Sequence, residues 1–303
     1  MKILNLPNLN ESVLAALDFF SSNQPPRLNL ADFSLPLVVG SGNAYNTGLV
    51  LFSQQPAIIA NESSFRQIIT SYRPLIKRLE ITQALIISAS GEKDAIWETK
   101  LAKKQGLNTT LLTCSPKSSA AKLADQVISY QKLPEPYTYN TSTYLGIILG
   151  ASQESAKSIE KFLRSLRLPK NFSSYSAYSF ILPDDCGQIA PMLEIKRHEL
   201  FGPYLSLRAF SFGEARHAKF VNNWDQELVV SFGANKYFGL KSNRLQIKLP
   251  RRYGPALIMA LGYYLIGQIQ AAKTPYFKNN IKQFCQTGPL AYDQTKPFPL
   301  IVE

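Results

Sequence analysis

Ser88 and Ser90 stand in the run ALIISASGEKD (84–94), which changes character twice within eleven residues. Residues 84–87 are a short apolar run of the kind buried in a parallel sheet, 88–91 are small and polar, and the sequence turns helical from Glu92. A loop that feeds a helix from a buried strand presents unpaired backbone N–H groups and the positive end of the helix dipole, and two serine hydroxyls add donors. That is a seat for a phosphate, although serine at such a junction is also the default helix cap, and the local sequence leaves both readings open. A second group is KRHE (196–199), in which Lys196 and Glu199 are three residues apart and share a helix face. As an isolated pair they make a surface ion pair worth about 0.2–0.5 kcal/mol. The only histidines are His198 and His217, the latter in GEARHAKF (213–220), where a histidine at a helix start is more often structural. Cys114, Cys186 and Cys285 are an odd number, without paired spacing or nearby histidines, so neither a metal centre nor a disulfide framework is expected.

The elements that must position these groups alternate. Residues 10–22 predict an amphipathic helix with Asn10 as its cap and Val13, Leu14, Leu17 and Phe20 on the apolar face. Strands are predicted near 35–39, 56–60, 84–87, 108–113 and 126–130. Helices are predicted from Tyr45, over 65–72, from Glu92, over 119–125, over 139–150 and over 155–166. The second half repeats the alternation, with strands at 178–182, 205–212, 228–232 and 245–249 and helices at 189–200, 214–220 and 255–272. Apolar strands alternating with helices and joined by short loops argue for doubly wound parallel sheets. The stretch PKNFSSYS (169–176) is the best boundary, dividing the chain into a lead-in over 1–34, a first α/β domain over 35–168 and a second over 169–303. The turn GSGNAYNTG (40–48) fits a dinucleotide fingerprint poorly, because its third glycine is displaced and no acidic residue closes the following strand.

Composition sets the remaining bounds. A chain of 303 residues with 45% hydrophobic and 18% charged residues can build two cores. Its net charge of +12 favours anionic partners. The basic residues are scattered in ones and twos, with no arm or signature for nucleic acid. The apolar run 253–272 contains Gln268 and Gln270 and follows Lys248, Arg251 and Arg252, which predicts a buried helix rather than a membrane span. The opening MKILNLPNLNES lacks an apolar stretch of signal-peptide length, so a cytoplasmic protein is expected.

Four stretches in order, GSGNAYNTGLV (40–50), ISASGEKD (87–94), KRHE (196–199) and AFSFGEARHAKF (209–220), together with the tail QTKPFPLIVE, resemble the sugar isomerase (SIS) domain proteins. The similarity is to the group with two such domains, which includes the isomerase half of glucosamine-6-phosphate synthase and the phosphoglucose/phosphomannose isomerases, and it covers about residues 35–303. The resemblance implies two flavodoxin-like domains in tandem and a phosphosugar site needing no cofactor or metal. It implies that Gly42, Asn43, Ser88, Ser90, Ser142 and Thr143 hold the phosphate, and that Glu199 carries a proton between C1 and C2 with Lys196 beside it. It further implies that His217 opens the sugar ring and Lys296 approaches the carbonyl end, in a homodimer whose active site lies at the subunit interface. Those residue types suit the chemistry, since enolisation needs a carboxylate base and a cation stabilises the enediolate. The chain departs from the pattern at Ala44, where the family carries a hydroxyl, and at Lys93, which either supplies charge in place of a hydroxyl or marks a decayed site. A third departure is LPDDCG (182–187), where the family has a glycine-rich loop.

The function so implied is aldose–ketose isomerisation of a hexose 6-phosphate or an amino-sugar phosphate. A deglycase of sugar-phosphate adducts would use the same base and lysine. A non-enzymatic sugar-phosphate sensor is the alternative from another class. Such sensors carry a DNA-binding domain, of which the sequence before residue 35 shows nothing, so an enzyme is the favoured expectation.

Overall fold

The computed structural model describes residues 6–302. The chain opens with α1 (Leu9–Ser22). Asn8 sits where its cap belongs, its carbonyl accepting from the N–H groups of Glu11 and Ser12 while its own N–H donates to the Glu11 carboxylate at 2.6 Å. The helix therefore starts ahead of Asn10, the cap expected from sequence, whose side-chain oxygen is buried without a hydrogen-bond partner.

A compact unit follows over 23–133 and 142–153. Its strands are β1 (Leu37–Gly40), β2 (Ile58–Ala60), β3 (Gln83–Ile87), β4 (Asn108–Thr113) and β5 (Gln126–Ser129), in the spatial order β2-β1-β3-β4-β5 and all parallel. Residue 38 pairs with Leu85 on one side and Ile59 on the other, which fixes the register of the centre. Leu37, Val39, Ile86 and Leu111 face one side of the sheet and cluster with Phe65, Ile69 and Ile76 of α3 (Phe65–Lys77) and with Ala95 and Ala102 of α4 (Asp94–Lys104). Burying each large aliphatic side chain contributes roughly 1.5–3 kcal/mol. On the opposite side Gly48 of α2 (Asn43–Leu51) lies against Val38 and Ile87. The last helix of the unit is α5 (Thr141–Ser152). Residues 119–123 form turns rather than the expected helix over 119–125, and the Ser119 and Ala120 N–H groups donate to the Glu92 carboxylate and the Gly91 carbonyl.

The other unit gathers 6–22, 134–141 and 154–302. Its sheet holds β7 (Ala177–Leu182), β8 (Ser206–Ser211), β9 (Glu227–Phe232) and β10 (Arg244–Ile247) in the order β10-β9-β7-β8, again all parallel. Each sheet thus has its first strand flanked by its second and third, the flavodoxin-like winding. The helices are α6 (Ala156–Ser165), α7 (Ala190–Phe201), the single turn α8 (Phe212–Ala215), α9 (Pro255–Ala272) and α10 (Tyr276–Thr287). By length and composition α9 could cross a membrane, but it is buried along most of its length and packs against α1, α6 and α7 as the core helix of this unit.

The stretch 169–176 lies inside this second unit. Phe172 and Tyr175 are buried against Tyr178, and the Ser176 and Ala177 N–H groups both donate to the Gln226 carbonyl. A short antiparallel pair, β6 (Glu135–Pro136) with β11 (Ile301–Val302), ties the C-terminal tail down. Tyr137 stacks on Phe298 at 4.7 Å, and its N–H donates to the Leu300 carbonyl.

Candidate active site

In the five-stranded unit, the loops that leave β1 and β3 meet at their C-terminal ends. Gly42, at φ +56, turns the chain into α2, and Gly91, at φ +62, turns it toward α4. A side chain at Gly91 would be doubly excluded, since its Cβ would fall 2.0 Å from the Ser118 hydroxyl. The Ser41 hydroxyl bonds to the Asp94 carboxylate at 3.3 Å, joining the start of α2 to the start of α4. Ser88 and Ser90 accept from the N–H groups of Gly91 and Glu92, so both hydroxyls shape the loop and neither caps the helix.

The cap position is taken by Lys93 at φ +55, one residue before the helical turn in which the sequence placed it. Burial lowers the Lys93 pKa, and the neighbouring Asp94 carboxylate opposes that shift. With the two charges side by side, attraction for an anion rests on main-chain N–H groups and hydroxyls rather than on net charge. Asn43 and Ala44 are buried in the first turn of α2. Ser142 and Thr143 are buried at the start of α5. The Ser142 hydroxyl accepts from the Leu133 N–H, and the Thr143 hydroxyl reaches Cys114 at 3.4 Å. The Cys114 thiol in turn donates to the Ala89 carbonyl, so a chain of contacts runs from Thr143 into the Ser88–Ser90 loop.

Beneath this loop Glu98 is 1% exposed, with one oxygen unpartnered. Burial raises its pKa to about 8, with further contributions from Asp94 and Glu62.

In the four-stranded unit, α7 carries Lys196 and Glu199. The Lys196 side chain is 0% exposed, and its Nζ donates to Glu199 Oε2 at 2.6 Å and to the Thr138 carbonyl at 2.7 Å, 5.5 Å from the centre of the Tyr263 ring. Glu199 keeps 24% of its side chain exposed. This is therefore no solvated surface pair: one partner is sealed inside and the other looks out. Burial raises the Glu199 pKa, against the opposing charge and hydrogen bond of Lys196. A carboxylate tuned upward and still partly exposed is placed to take and return a proton.

Thr138, which the sequence did not single out, holds a φ of +80, a strained conformation for a β-branched residue. Its carbonyl is aimed at Lys196 by that conformation, and no residue pattern signals it.

His217 is exposed and lies in the turn after α8, not in a helix over 214–220. The capping box of Ser211 and Glu214 starts one turn, and the positive φ of Ala218 ends it. Lys296 is exposed in the tail between α10 and β11. Among the described residues no hydrogen bond or ion pair joins His217 or Lys296 to the Lys196–Glu199 pair, and no group of three or more His, Cys, Asp or Glu side chains is placed to hold a metal ion.

No protein-family model matches the chain, and no curated protein matches it in sequence. Solved structures do match. The C-terminal domain of glucosamine-fructose-6-phosphate aminotransferase from Francisella tularensis superposes with a TM-score of 0.58 at 15% identity, covering 87% of this chain and 93% of its own. The chain has the sugar isomerase (SIS) fold. Glucosamine-6-phosphate deaminase from Thermotoga maritima gives 0.58 at 15% identity, over 90% of this chain and 94% of its own. Tagatose-6-phosphate ketose/aldose isomerase from Escherichia coli gives 0.54 at 14% identity, over 88% and 89%. At these identities the likeness is one of architecture, and the SIS fold here comprises the two parallel sheets with their flanking helices.

Proposed function

We propose that this SIS-fold chain isomerises a hexose 6-phosphate or an amino-sugar phosphate by moving a proton between C2 and C1. The observation that carries this reading is the Lys196–Glu199 pair, a sealed ammonium beside a partly exposed carboxylate whose pKa is raised. Glu199 takes the C2 proton of the open-chain aldose, leaving a cis-enediolate; the hydroxyl proton passes from O2 to O1, and Glu199 returns its proton at C1 to give the ketose, so the substrate neither gains nor loses atoms. Lys196 keeps the carboxylate in place. His217, from a second copy of the chain, donates and accepts the protons of ring opening, which suits an imidazole. Lys296 brings a positive charge toward the carbonyl oxygen as negative charge develops there. The phosphate is held by main-chain N–H groups and hydroxyls at Gly42, Asn43, Ser88, Ser90, Ser142 and Thr143, with Lys93 beside them. The names of the three structural neighbours each contain a hexose 6-phosphate or its amine, which supports the substrate class. We further propose a cytoplasmic homodimer in which each active site uses both copies.

A second reading, a sugar-phosphate sensor without turnover, is favoured by Ala44, which buries a methyl where the family has a hydroxyl, and by the Asp94 carboxylate at the edge of the seat. One experiment separates the two. Hexose 6-phosphates and the matching free sugars are screened by thermal shift, where a ligand at 100 times its Kd stabilises by about 2.7 kcal/mol. Hits are then followed for exchange of the C2 proton in heavy water. Stabilisation by phosphorylated sugars with exchange supports the isomerase, stabilisation without exchange supports the sensor, and a flat panel sinks both.

A further inference from the structure

The two sheets wind alike, so the loops leaving β7 and β9 are the internal counterparts of those leaving β1 and β3, which form the candidate phosphate seat. In an open parallel sheet, ligands bind outside the carboxyl ends of the strands where the order reverses. In the four-stranded sheet that point lies between β7 and β9, and a cavity of about 510 Å³ opens there. Pro183 after β7 and Gly233 after β9 form its inner wall. Beyond the end of β10, Lys248, Arg251 and Tyr253 form its rim. This half of the molecule thus has an open cleft where the other half has its seat, with cations on side chains in place of serine hydroxyls.

The walls have structural reasons to hold their shape. The Gly233 N–H donates to the Ile247 carbonyl at 2.9 Å, and the Gln246 side chain accepts from the Asn235 N–H at 3.1 Å, which fixes the loop after β9 against β10. The Tyr253 hydroxyl bonds to the Asp185 side chain, which belongs to the LPDDCG stretch that departs from the family's glycine-rich loop. Lys248 and Arg251 are both exposed, and no ion pair in the described residues neutralises either. The lining itself holds no carboxylate or imidazole, and the Asp185 carboxylate at the rim is engaged by Tyr253.

We propose that this cleft is a second, non-catalytic binding site for a phosphorylated sugar, with Lys248 and Arg251 on the phosphate and Gln246, Tyr253 and the Gly233–Ala234 backbone facing the hydroxyls. Its volume lies within the range of small-metabolite pockets. A guanidinium and an ammonium converging on a phosphate make charge-assisted hydrogen bonds, stronger than the neutral contacts available in the Ser88 loop.

The test is calorimetric titration of the full-length chain with fructose 6-phosphate and, separately, with inorganic phosphate at low salt. Wild type is expected to bind two equivalents of fructose 6-phosphate per chain. Lys248→Glu/Arg251→Glu should bind one, Ser88→Asp/Ser90→Asp should bind one, and the combined variant none. The substituted Lys248 and Arg251 are exposed, so folding is checked by circular dichroism and is expected to be unchanged. Any basal C2-proton exchange should also survive in that variant. At the Lys248–Arg251 site, fructose 6-phosphate should bind at least about tenfold more tightly than inorganic phosphate, reflecting the hydroxyl contacts. Two equivalents bound by Lys248→Glu/Arg251→Glu would overturn the proposal, as would a wild type that binds nothing, or one equivalent that Ser88→Asp/Ser90→Asp removes. Equal affinity for the two probes would overturn the assignment to a sugar. If binding is lost in Lys248→Glu/Arg251→Glu but unaffected by Ser88→Asp/Ser90→Asp, this site stands and the Ser88 seat falls.

Discussion

Lys196 is sealed from solvent while Glu199, bonded to it at 2.6 Å, keeps 24% of its side chain exposed. The asymmetry gives the two residues separable roles, since only Glu199 can meet a substrate. Glu199→Gln preserves shape and hydrogen bonding but cannot take a proton. Exchange of the C2 proton in heavy water should fall by about 10² to 10⁴-fold, roughly 3–5 kcal/mol of barrier, with binding of the sugar phosphate barely altered. Exchange at the wild-type rate would remove Glu199 from the mechanism.

Lys196→Met should act on both stability and pH dependence. Breaking a buried pair from one side costs about 3–5 kcal/mol, and the double variant with Glu199→Gln should recover part of that loss. Lys196 favours the charged form of Glu199, so its removal should push the Glu199 pKa still higher. The acid limb of the rate profile would then move to higher pH. A limb that stays in place would mean that another group sets it.

Thr138→Gly should raise stability by about 1 kcal/mol or more, because glycine adopts a φ of +80 without the strain of a β-branched residue. The same change loosens the carbonyl that holds Lys196, so exchange should fall while Tm rises. A variant that loses stability would show that the side chain, and not the backbone conformation, matters at this position.

Glu98 gives the five-stranded unit a pH signature. Its folded pKa of about 8 stands above the ordinary value of 4.5, so between those limits the folded state holds a proton that the unfolded chain has released. The contribution is fully present below about pH 4.5 and is lost as pH rises toward about 8, at no more than about 1.4 kcal/mol per pH unit. Denaturant titrations across that range should show the decline, and Glu98→Gln should flatten it. An unchanged slope in Glu98→Gln would place the titrating group elsewhere.

If His217 acts across a dimer, mixing the inactive Glu199→Gln and His217→Ala chains should restore part of the activity once subunits exchange, since some hybrids then contain one intact site. Verified exchange without recovery would put both residues in a single copy's site.

Much of this was legible from residue patterns. The alternation of apolar strands with helices announced two parallel sheets, and the three-residue spacing of Lys196 and Glu199 put them on one helix face. Burial of the lysine was not legible, because it depends on Tyr263 and on the Thr138 carbonyl, which come from distant stretches. Thr138 itself was invisible, since nothing in PYTYN (136–140) marks a left-handed threonine. The expected helix over 214–220 was stopped at Ala215 by a single positive φ at Ala218, which the residue types do not encode. Helix α10 escaped notice because its interior apolar positions, Phe277, Ile281 and Cys285, are spread among lysines, asparagines and glutamines.

The way α1 is seated has a consequence for how the chain comes off the ribosome. The Leu9 N–H donates to the Gln270 side chain, and Gly267 of α9 is pressed so closely on Asn10 that a Cβ there would lie 2.0 Å from the Asn10 nitrogen. The unit over 23–133 and 142–153 has all its strands once synthesis passes Ser152, and domains generally fold as they emerge. Helix α1, translated before any of it, has its packing partners α6 and α9 made only later, so Val13, Leu17 and Phe20 are not fully covered until α9 has been made. Closing so long a loop is slow, which leaves the apolar face of α1 open to other contacts during synthesis.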